Sequence, residues 1–194
     1  MKQAKKIIYL AFPAMMENLL QMLMGVVDNY LVAQVGLIAV SGVSVANNII
    51  TIYQAIFIAL GAAVSSLVAK SRGEKNNEKT VQYQSEAILV TLGLSLVLGL
   101  FSLLFGKTIL HWLGTETTVT QAGGLYLAIV GGLIVSLGLM TTLSAFLRAL
   151  GKPQLPMYVS LLSNVLNAIF SAVSVFVFHW GIAGVACSTV LSRF

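Results

Sequence analysis

The sequence has 194 residues, of which 58% are hydrophobic and only 9% are charged, and its mean hydropathy is +0.93. A soluble domain carries about 25% charged residues, because it must cover its core with a hydrated surface. The composition therefore excludes a soluble enzyme. It also excludes a disordered chain, which contains few apolar residues. Lipid is the expected solvent for most of this surface.

The apolar segments predict an all-α, polytopic transmembrane bundle, since one span needs about 20 apolar residues. Residues 7–69 contain only two charged side chains, Glu17 and Asp28. This segment is long enough for two spans, with a break at Gly36. The expected helices cover about 7–34, 38–69, 81–105, 118–147, 155–178 and 182–194. The last segment is too short for a span, so we expect five complete helices and the start of a sixth.

The basic residues predict the orientation in the membrane. The N-terminus, the 70–79 loop and the 148–152 loop carry nine Lys and Arg residues, whereas the opposite side carries only Lys107. Because short cytoplasmic loops are enriched in Lys and Arg, we expect a cytoplasmic N-terminus. The expected location is a cell membrane, inner or plasma, which the chain crosses several times.

The first helix carries two carboxylates that are expensive to place in lipid. Glu17 lies about 16 Å from the start of the helix, near the centre of a bilayer. Asp28 follows after 11 residues, close to three turns, so both acids and Gln21 share one face. Two simpler interpretations stay open: Glu17 makes a structural hydrogen bond to a neighbouring helix, and Asp28 lies at the outer water interface.

Two further helices carry polar residues at helical spacing. These residues are Ser44, Asn47, Thr51 and Gln54 in the second helix, and Ser160, Asn164, Asn167, Ser171 and Ser174 in the fifth. Such residues often only join helices, at about 0.6 kcal/mol per hydrogen bond. Because three polar faces occur together, we favour an internal cavity or ion site. The small pairs Gly61/Ser65 and Gly132/Ser136 are instead typical of close helix packing.

The residues of enzyme chemistry are not arranged for catalysis in this sequence. His111 and His179 fall in loops on opposite sides, and no Cys/His set has the spacing of a metal site. No Gly-x-Ser-x-Gly motif or phosphate-binding loop occurs. We therefore expect no enzyme activity, no cofactor and no nucleic-acid partner.

Four segments in order along the chain resemble the multidrug and toxic compound extrusion (MATE) family of cation-coupled antiporters. They are residues 28–32 (DNYLV), 61–76 (GAAVSSLVAKSRGEKN), 147–157 (LRALGKPQLPM) and 181–193 (GIAGVACSTVLSR). The resemblance covers the whole chain but only the first half of a family member. It implies the N-terminal lobe of a two-lobe transporter, whose C-terminal lobe is absent from this sequence. It also implies export of cationic, amphipathic compounds in exchange for Na⁺ or H⁺.

The resemblance further implies a cation site inside this lobe, formed by Asp28, Asn167 and Thr189, with no other metal site. Some members carry a second carboxylate one turn after the asparagine, where this chain has Ser171. Our hypothesis is that Glu17 supplies the missing charge. The expected substrate cavity is lined by Gln21, Asn47, Thr51, Gln54 and Asn164.

Two other functions remain as alternatives. One is a lipid-linked sugar flippase of the same superfamily, which would need a cationic cavity, whereas the inward charges in this sequence are expected to be acidic. The other is a non-transporting membrane module, either half-size or truncated, because the sequence stops within the sixth apolar segment.

Overall fold

A computed structural model describes the backbone of residues 2–194 and the side chains of residues 11–194. The described chain is entirely helical, which confirms the predicted fold class. The seven helices are α1 (Lys2–Val35), α2 (Leu37–Gly73), α3 (Asn77–Trp112), α4 (Thr117–Gly132), α5 (Val135–Ala149), α6 (Gln154–Phe176) and α7 (Gly181–Leu191).

Three of the described helices, α2, α3 and α6, are long and apolar enough to cross a membrane. The bent pair α4–α5 makes a fourth span if it is counted as one unit. Helix α1 has 34 residues, and its sequence includes Glu17, Gln21 and Asp28. Large apolar side chains such as Leu89, Leu96 and Leu104 on α3 are exposed on the outer surface, where lipid would cover them.

The fourth expected helix, 118–147, is in fact two helices that meet at an angle of 49°. The break lies at Leu133 and Ile134, directly after Gly131 and Gly132. Glycine is a poor helix former, and these two glycines also pack tightly against Ser102 and Leu103 of α3. Apolar residues continue across this break, so hydropathy alone predicted one continuous helix.

The polar 70–79 segment is mostly helical, with only residues 74–76 between α2 and α3. The Asn76 side chain caps α3 by accepting a hydrogen bond from the backbone N–H of Lys79 at 3.0 Å. The hydroxyls of Ser71 and Thr80 join the two helices at 2.7 Å. These local bonds explain why both helices extend beyond their apolar parts.

Helix α2 is packed on α3, α4 and α5. A Cβ atom placed on Gly123 of α4 would lie 2.5 Å from the carbonyl oxygen of Gly42 on α2, so the two backbones touch. Further along α2, Gly61 contacts Ala145, and the Ser65 hydroxyl donates to the Ala145 carbonyl at 3.0 Å. This contact confirms the packing role predicted for the Gly61/Ser65 pair.

Helix α1 packs mainly on α6 and makes a smaller contact with α2. Gly36 alone connects α1 to α2, and its φ of 140° is readily accessible only to glycine. The arrangement leaves an opening bordered by α1, α2, α4, α5, α6 and α7. The polar face of α1 borders this opening.

Candidate functional site

The opening is a cavity of about 600 Å³. Nine of the ten predicted site residues line it, contributed by four helices: Glu17, Gln21, Asp28, Asn47, Thr51, Gln54, Asn164, Asn167 and Thr189. The tenth, Ser171, is fully buried and lies behind Asn167. The structure thus gathers residues that are up to 172 positions apart in the sequence into one polar chamber.

Asp28 lies on the cavity wall and is half-buried. Its Oδ1 atom is buried and has no hydrogen-bond partner among the described residues. An unpaired carboxylate oxygen in a low-dielectric environment is costly, so it favours a bound cation or a proton. Of the two carboxylates on α1, Glu17 is paired with an arginine, whereas Asp28 has no ion-pair partner among the described side chains.

Asn167 and Thr189 form a small polar cluster on the same wall. The Asn167 amide nitrogen donates to the Thr189 hydroxyl at 3.5 Å, and Thr189 donates to the Val185 carbonyl at 2.9 Å. The Ser171 hydroxyl donates to the Asn167 side-chain oxygen at 2.9 Å. Ser171 therefore holds the Asn167 amide in place from behind, one turn along α6.

In this arrangement the amide oxygen of Asn167 faces Ser171, and its nitrogen faces Thr189. A half-turn of the amide group would present the oxygen instead, and the Ser171 hydroxyl can then accept a bond from the nitrogen. The donor set of Asp28, Asn167 and Thr189 consists of hard oxygen atoms, which suit an alkali cation. Across residues 11–194, no cluster of three His, Cys, Asp or Glu side chains could hold a metal ion.

Tyr126 of α4 is a cavity residue that the sequence analysis did not identify. Only 3% of its surface is exposed, and it lines the same cavity as Asn47 and Thr189. Asp28 and Arg193 line that cavity too. A buried tyrosine hydroxyl needs polar neighbours, but nothing in the apolar sequence around it indicates where those neighbours are.

Glu17 is paired with Arg148, another residue that the sequence analysis left out of the site. A guanidinium nitrogen of Arg148 donates to Glu17 Oε2 at 2.7 Å. The Glu17 side chain is 9% exposed and that of Arg148 is 35% exposed. The structural hydrogen bond that the sequence left open for Glu17 is present. Sequence could not reveal the partner, which lies 131 residues away at the end of α5.

The charges on the cavity wall are balanced, contrary to the expectation that they are acidic. Arg148 and Arg193 line the same cavity as Glu17 and Asp28. From the sequence, Arg148 was expected only as one of the basic residues of the 148–152 loop, and no role was predicted for Arg193. Both residues lie at helix ends that border the cavity.

The remaining polar residues fall into two groups. Asn164 Nδ2 and Ser160 Oγ are buried without hydrogen-bond partners in the described part of the chain, and both residues line the cavity. Ser174 instead bonds to Ser188 of α7 at 3.1 Å and joins two helices. The predicted polar faces therefore serve partly as cavity lining and partly as helix contacts.

An all-helical bundle with membrane-length spans and a polar internal cavity defines the class: a multi-pass membrane protein. Residues 13–173 match the MatE family, and the chain belongs to that family. The family consists of transporters, which agrees with the expectation that the chain is not an enzyme.

Individual relatives agree with this assignment. The chain is 28% identical to "Probable multidrug resistance protein NorM" of Thermotoga maritima over 98% of its length. It covers 42% of that relative, so it spans less than half of the curated protein it matches. It is 24% identical to "Multidrug export protein MepA" of Staphylococcus saprophyticus, again covering 42%.

Solved structures support the fold. A MATE transporter crystallised in complex with MaD3S superimposes with a TM-score of 0.91 at 20% identity, over 97% of this chain and 43% of that one. A MOP superfamily transporter from Pyrococcus furiosus, described as having a binding pocket of reversed polarity, gives a TM-score of 0.88 at 19% identity. That match covers 97% of this chain and 42% of the other.

Proposed function

We propose that this chain is the N-terminal, cation-binding lobe of a secondary antiporter. The complete transporter exports amphipathic, cationic compounds in exchange for Na⁺ or H⁺. The observation that carries the proposal is the unpaired, buried Oδ1 of Asp28 on the wall of a polar cavity. Relatives named for multidrug resistance and export support the substrate class.

In this proposal Asp28 binds the coupling ion. Asn167 and Thr189 complete its shell, Ser171 orients Asn167, and Glu17 organises the other end of the cavity through Arg148. Binding of the ion stabilises one arrangement of the helices and thereby favours release of the exported compound. Gln21, Asn47, Thr51, Gln54 and Asn164 contact that compound, since all five face the same space.

The membrane placement is part of the same proposal. The N-terminus and the Lys- and Arg-rich connections lie in the cytoplasm, and the lobe is embedded in a cell membrane. A C-terminal lobe forms the other wall of the transport path. Sequencing the gene beyond the codon for Phe194 tests this last point: a reading frame that continues with six further apolar spans is the expected result.

Transport by the complete gene product tests the activity. Purified protein in liposomes should move ethidium against its gradient when a Na⁺ gradient or a pH gradient is imposed, and each gradient is tested separately. Asp28→Asn should reduce gradient-driven transport at least ten-fold, whereas the surface variant Arg72→Gln should leave it unchanged. Normal gradient-driven transport by Asp28→Asn would refute the role of Asp28.

One observation favours a second candidate, a lipid-linked sugar flippase. Two arginines line the cavity, and a guanidinium is well suited to bind a pyrophosphate group. The same liposomes discriminate the two functions. Flipping of a fluorescent pyrophosphate-linked lipid without gradient-driven ethidium transport would support the flippase.

A further inference from the structure

The ion pair between Glu17 and Arg148 crosses the cavity instead of joining two packed helices. Glu17 lies on α1 and Arg148 at the end of α5, and both side chains line the cavity. The backbones of α1 and α5 make few close contacts with each other. Arginine and carboxylate groups often form two parallel hydrogen bonds, but this pair forms one, from a guanidinium nitrogen to Glu17 Oε2 at 2.7 Å. A single bond across an open space can be replaced by a ligand that enters that space.

The two partners differ in their access to water. The Glu17 side chain is 9% exposed and lies in the interior of α1, whereas that of Arg148 is 35% exposed and lies one residue before the end of α5. A long arginine side chain at a helix end can keep its charged group hydrated. A buried carboxylate that loses its partner is strongly destabilising. Glu17 therefore always needs a cation beside it, whereas Arg148 can leave.

A second, smaller cavity gives Arg148 a place to move to. It has a volume of about 180 Å³ and is lined by Arg148 together with Ile58, Gly61, Ala62, Ser65, Thr141 and Ala145. The Ser65 and Thr141 hydroxyls each donate to a backbone carbonyl, so their oxygens can still accept hydrogen bonds. Because a guanidinium has only donors, the small cavity offers it suitable partners.

The large cavity next to the ion pair suits an amphipathic cation. Successive spans alternate in direction, so α1 and α5 run in opposite directions. Met24 lies seven residues after Glu17, and Met140 lies eight residues before Arg148. Both methionines line the cavity, at about 10–12 Å from the ion pair along the helix axes. Flexible methionine side chains adapt to apolar surfaces of different shapes. The cavity thus combines a carboxylate at one level with an adaptable apolar wall at another.

We propose that Glu17 binds the positively charged group of the exported compound, and that Arg148 occupies Glu17 only while the cavity is empty. When a compound enters, its cation replaces the guanidinium, and Arg148 moves toward the small cavity. Glu17 is neutralised in both states, so the exchange creates no unpaired buried carboxylate. A neutral compound cannot replace Arg148, which makes the pair selective for cations. This inference deepens the proposed function and rests on it, because it assigns the place of the compound's charge.

Binding of ethidium to the purified complete gene product tests this exchange. Isothermal titration calorimetry in detergent measures the affinity at fixed pH and salt, without any gradient. Glu17→Gln should bind ethidium at least five-fold more weakly, because the carboxylate is lost. Arg148→Gln should bind it at least five-fold more tightly, because no guanidinium competes for Glu17. Arg72→Gln removes the same charge from an exposed position and is the matched control, whose affinity should stay within two-fold of the wild type.

The increase in affinity distinguishes this role from a structural one, since loss of a purely structural pair would not improve binding. If Arg148→Gln binds ethidium no more tightly than the wild type, the proposal is wrong. If that variant does not elute as a single folded species, Ala62→Leu is measured instead. Ala62 lines only the small cavity, so leucine should obstruct the movement of Arg148 and weaken binding at least three-fold. An unchanged affinity of Ala62→Leu would then overturn the proposal.

Binding and transport are measured separately, so the two proposals can fail separately. Tighter binding by Arg148→Gln, without gradient-driven transport by the wild type, would contradict the antiporter and retain the cation-binding role of Glu17. Gradient-driven ethidium transport by the wild type, with equal affinities of Arg148→Gln and wild type, would contradict only the role of Glu17 and Arg148.

Discussion

The two sides of α2 show opposite packing. On the side of α4, the backbones of Gly42 and Gly123 touch, and no space remains for even a methyl group. On the side of α1, Asn47, Thr51 and Gln54 face a cavity of about 600 Å³. One helix thus belongs both to a tightly packed region and to an open polar wall.

The difference separates residues that determine the fold from residues that are free for function. Packed helices gain van der Waals contacts from small residues, which are the main attraction between helices in lipid. Four buried polar side-chain atoms have no hydrogen-bond partner among the described residues, and three of them lie on the cavity wall: Asp28 Oδ1, Ser160 Oγ and Asn164 Nδ2. Unsatisfied polar atoms reduce stability, so their concentration in one place indicates a site that is completed by a ligand or a second lobe. Variants of the two regions should therefore affect different properties.

The largest loss of stability is expected for Gly123→Ala. The added Cβ atom would lie 2.5 Å from the Gly42 carbonyl oxygen, and two helix backbones must separate to accommodate it. We expect the free energy of unfolding to fall by about 3 kcal/mol. Thermal unfolding of the complete gene product, followed by circular dichroism in mild detergent, measures the change.

Gly93→Ala on α3 is the matched control, because nothing lies within 4 Å of its added Cβ atom. Alanine is the better helix former, so this variant should gain up to about 1 kcal/mol. If both variants unfold at the same temperature, the contact between α2 and α4 does not determine the packing.

The next largest loss of stability is expected for Glu17→Gln. Glu17 lines the cavity, but it is held by an ion pair to Arg148. The change leaves the Arg148 guanidinium without its carboxylate partner at 2.7 Å. A charged hydrogen bond contributes about 1.5–3 kcal/mol, and a loss near 2 kcal/mol is expected. The double variant Glu17→Gln with Arg148→Gln should recover at least half of this loss, because the unpaired charge is also removed.

The exposed pair Glu74–Lys79, at 3.7 Å, provides the comparison. Glu74→Gln should change stability by less than about 0.5 kcal/mol, since both of its side chains are solvated. If Glu17→Gln is equally mild, then the Glu17–Arg148 pair is not a structural contact, and Glu17 becomes a stronger candidate for ion binding.

A smaller effect is expected for Ser171→Ala on α6. The variant removes the hydroxyl that donates to Asn167 Oδ1 at 2.9 Å and leaves that oxygen buried. A loss of about 1 kcal/mol is expected. Ser85→Ala should have almost no effect, because the Ser85 hydroxyl is exposed and only bonds within α3. Equal stabilities of the two variants would show that Ser171 does not hold the amide.

The helices and their polar faces could be predicted from the sequence because both follow local periodicity. The spacing of Asn47 and Asn167 predicted polar, inward faces, whereas it left open whether Asp28 faces the bundle or the outer water interface. The partners could not be predicted, since Arg148 and Tyr126 reach the cavity only through tertiary packing. The break after Gly132 was also missed, because hydropathy does not register a change in helix direction.

The smallest effect on stability is expected for Asp28→Asn, although the same variant should abolish coupled transport. Asn has nearly the same shape as Asp, and the change removes a charge whose Oδ1 has no hydrogen-bond partner. The free energy of unfolding should therefore stay within about 0.5 kcal/mol of the wild type or increase. The unfolding measurement used for Gly123→Ala applies without change. A loss above about 1 kcal/mol would mean that Asp28 supports the fold as Glu17 does. The proposed difference between the unpaired Asp28 and the paired Glu17 would then be wrong. A stable but uncoupled variant would instead show that the open side of α2 and the facing side of α1 are maintained for ion binding at the expense of packing.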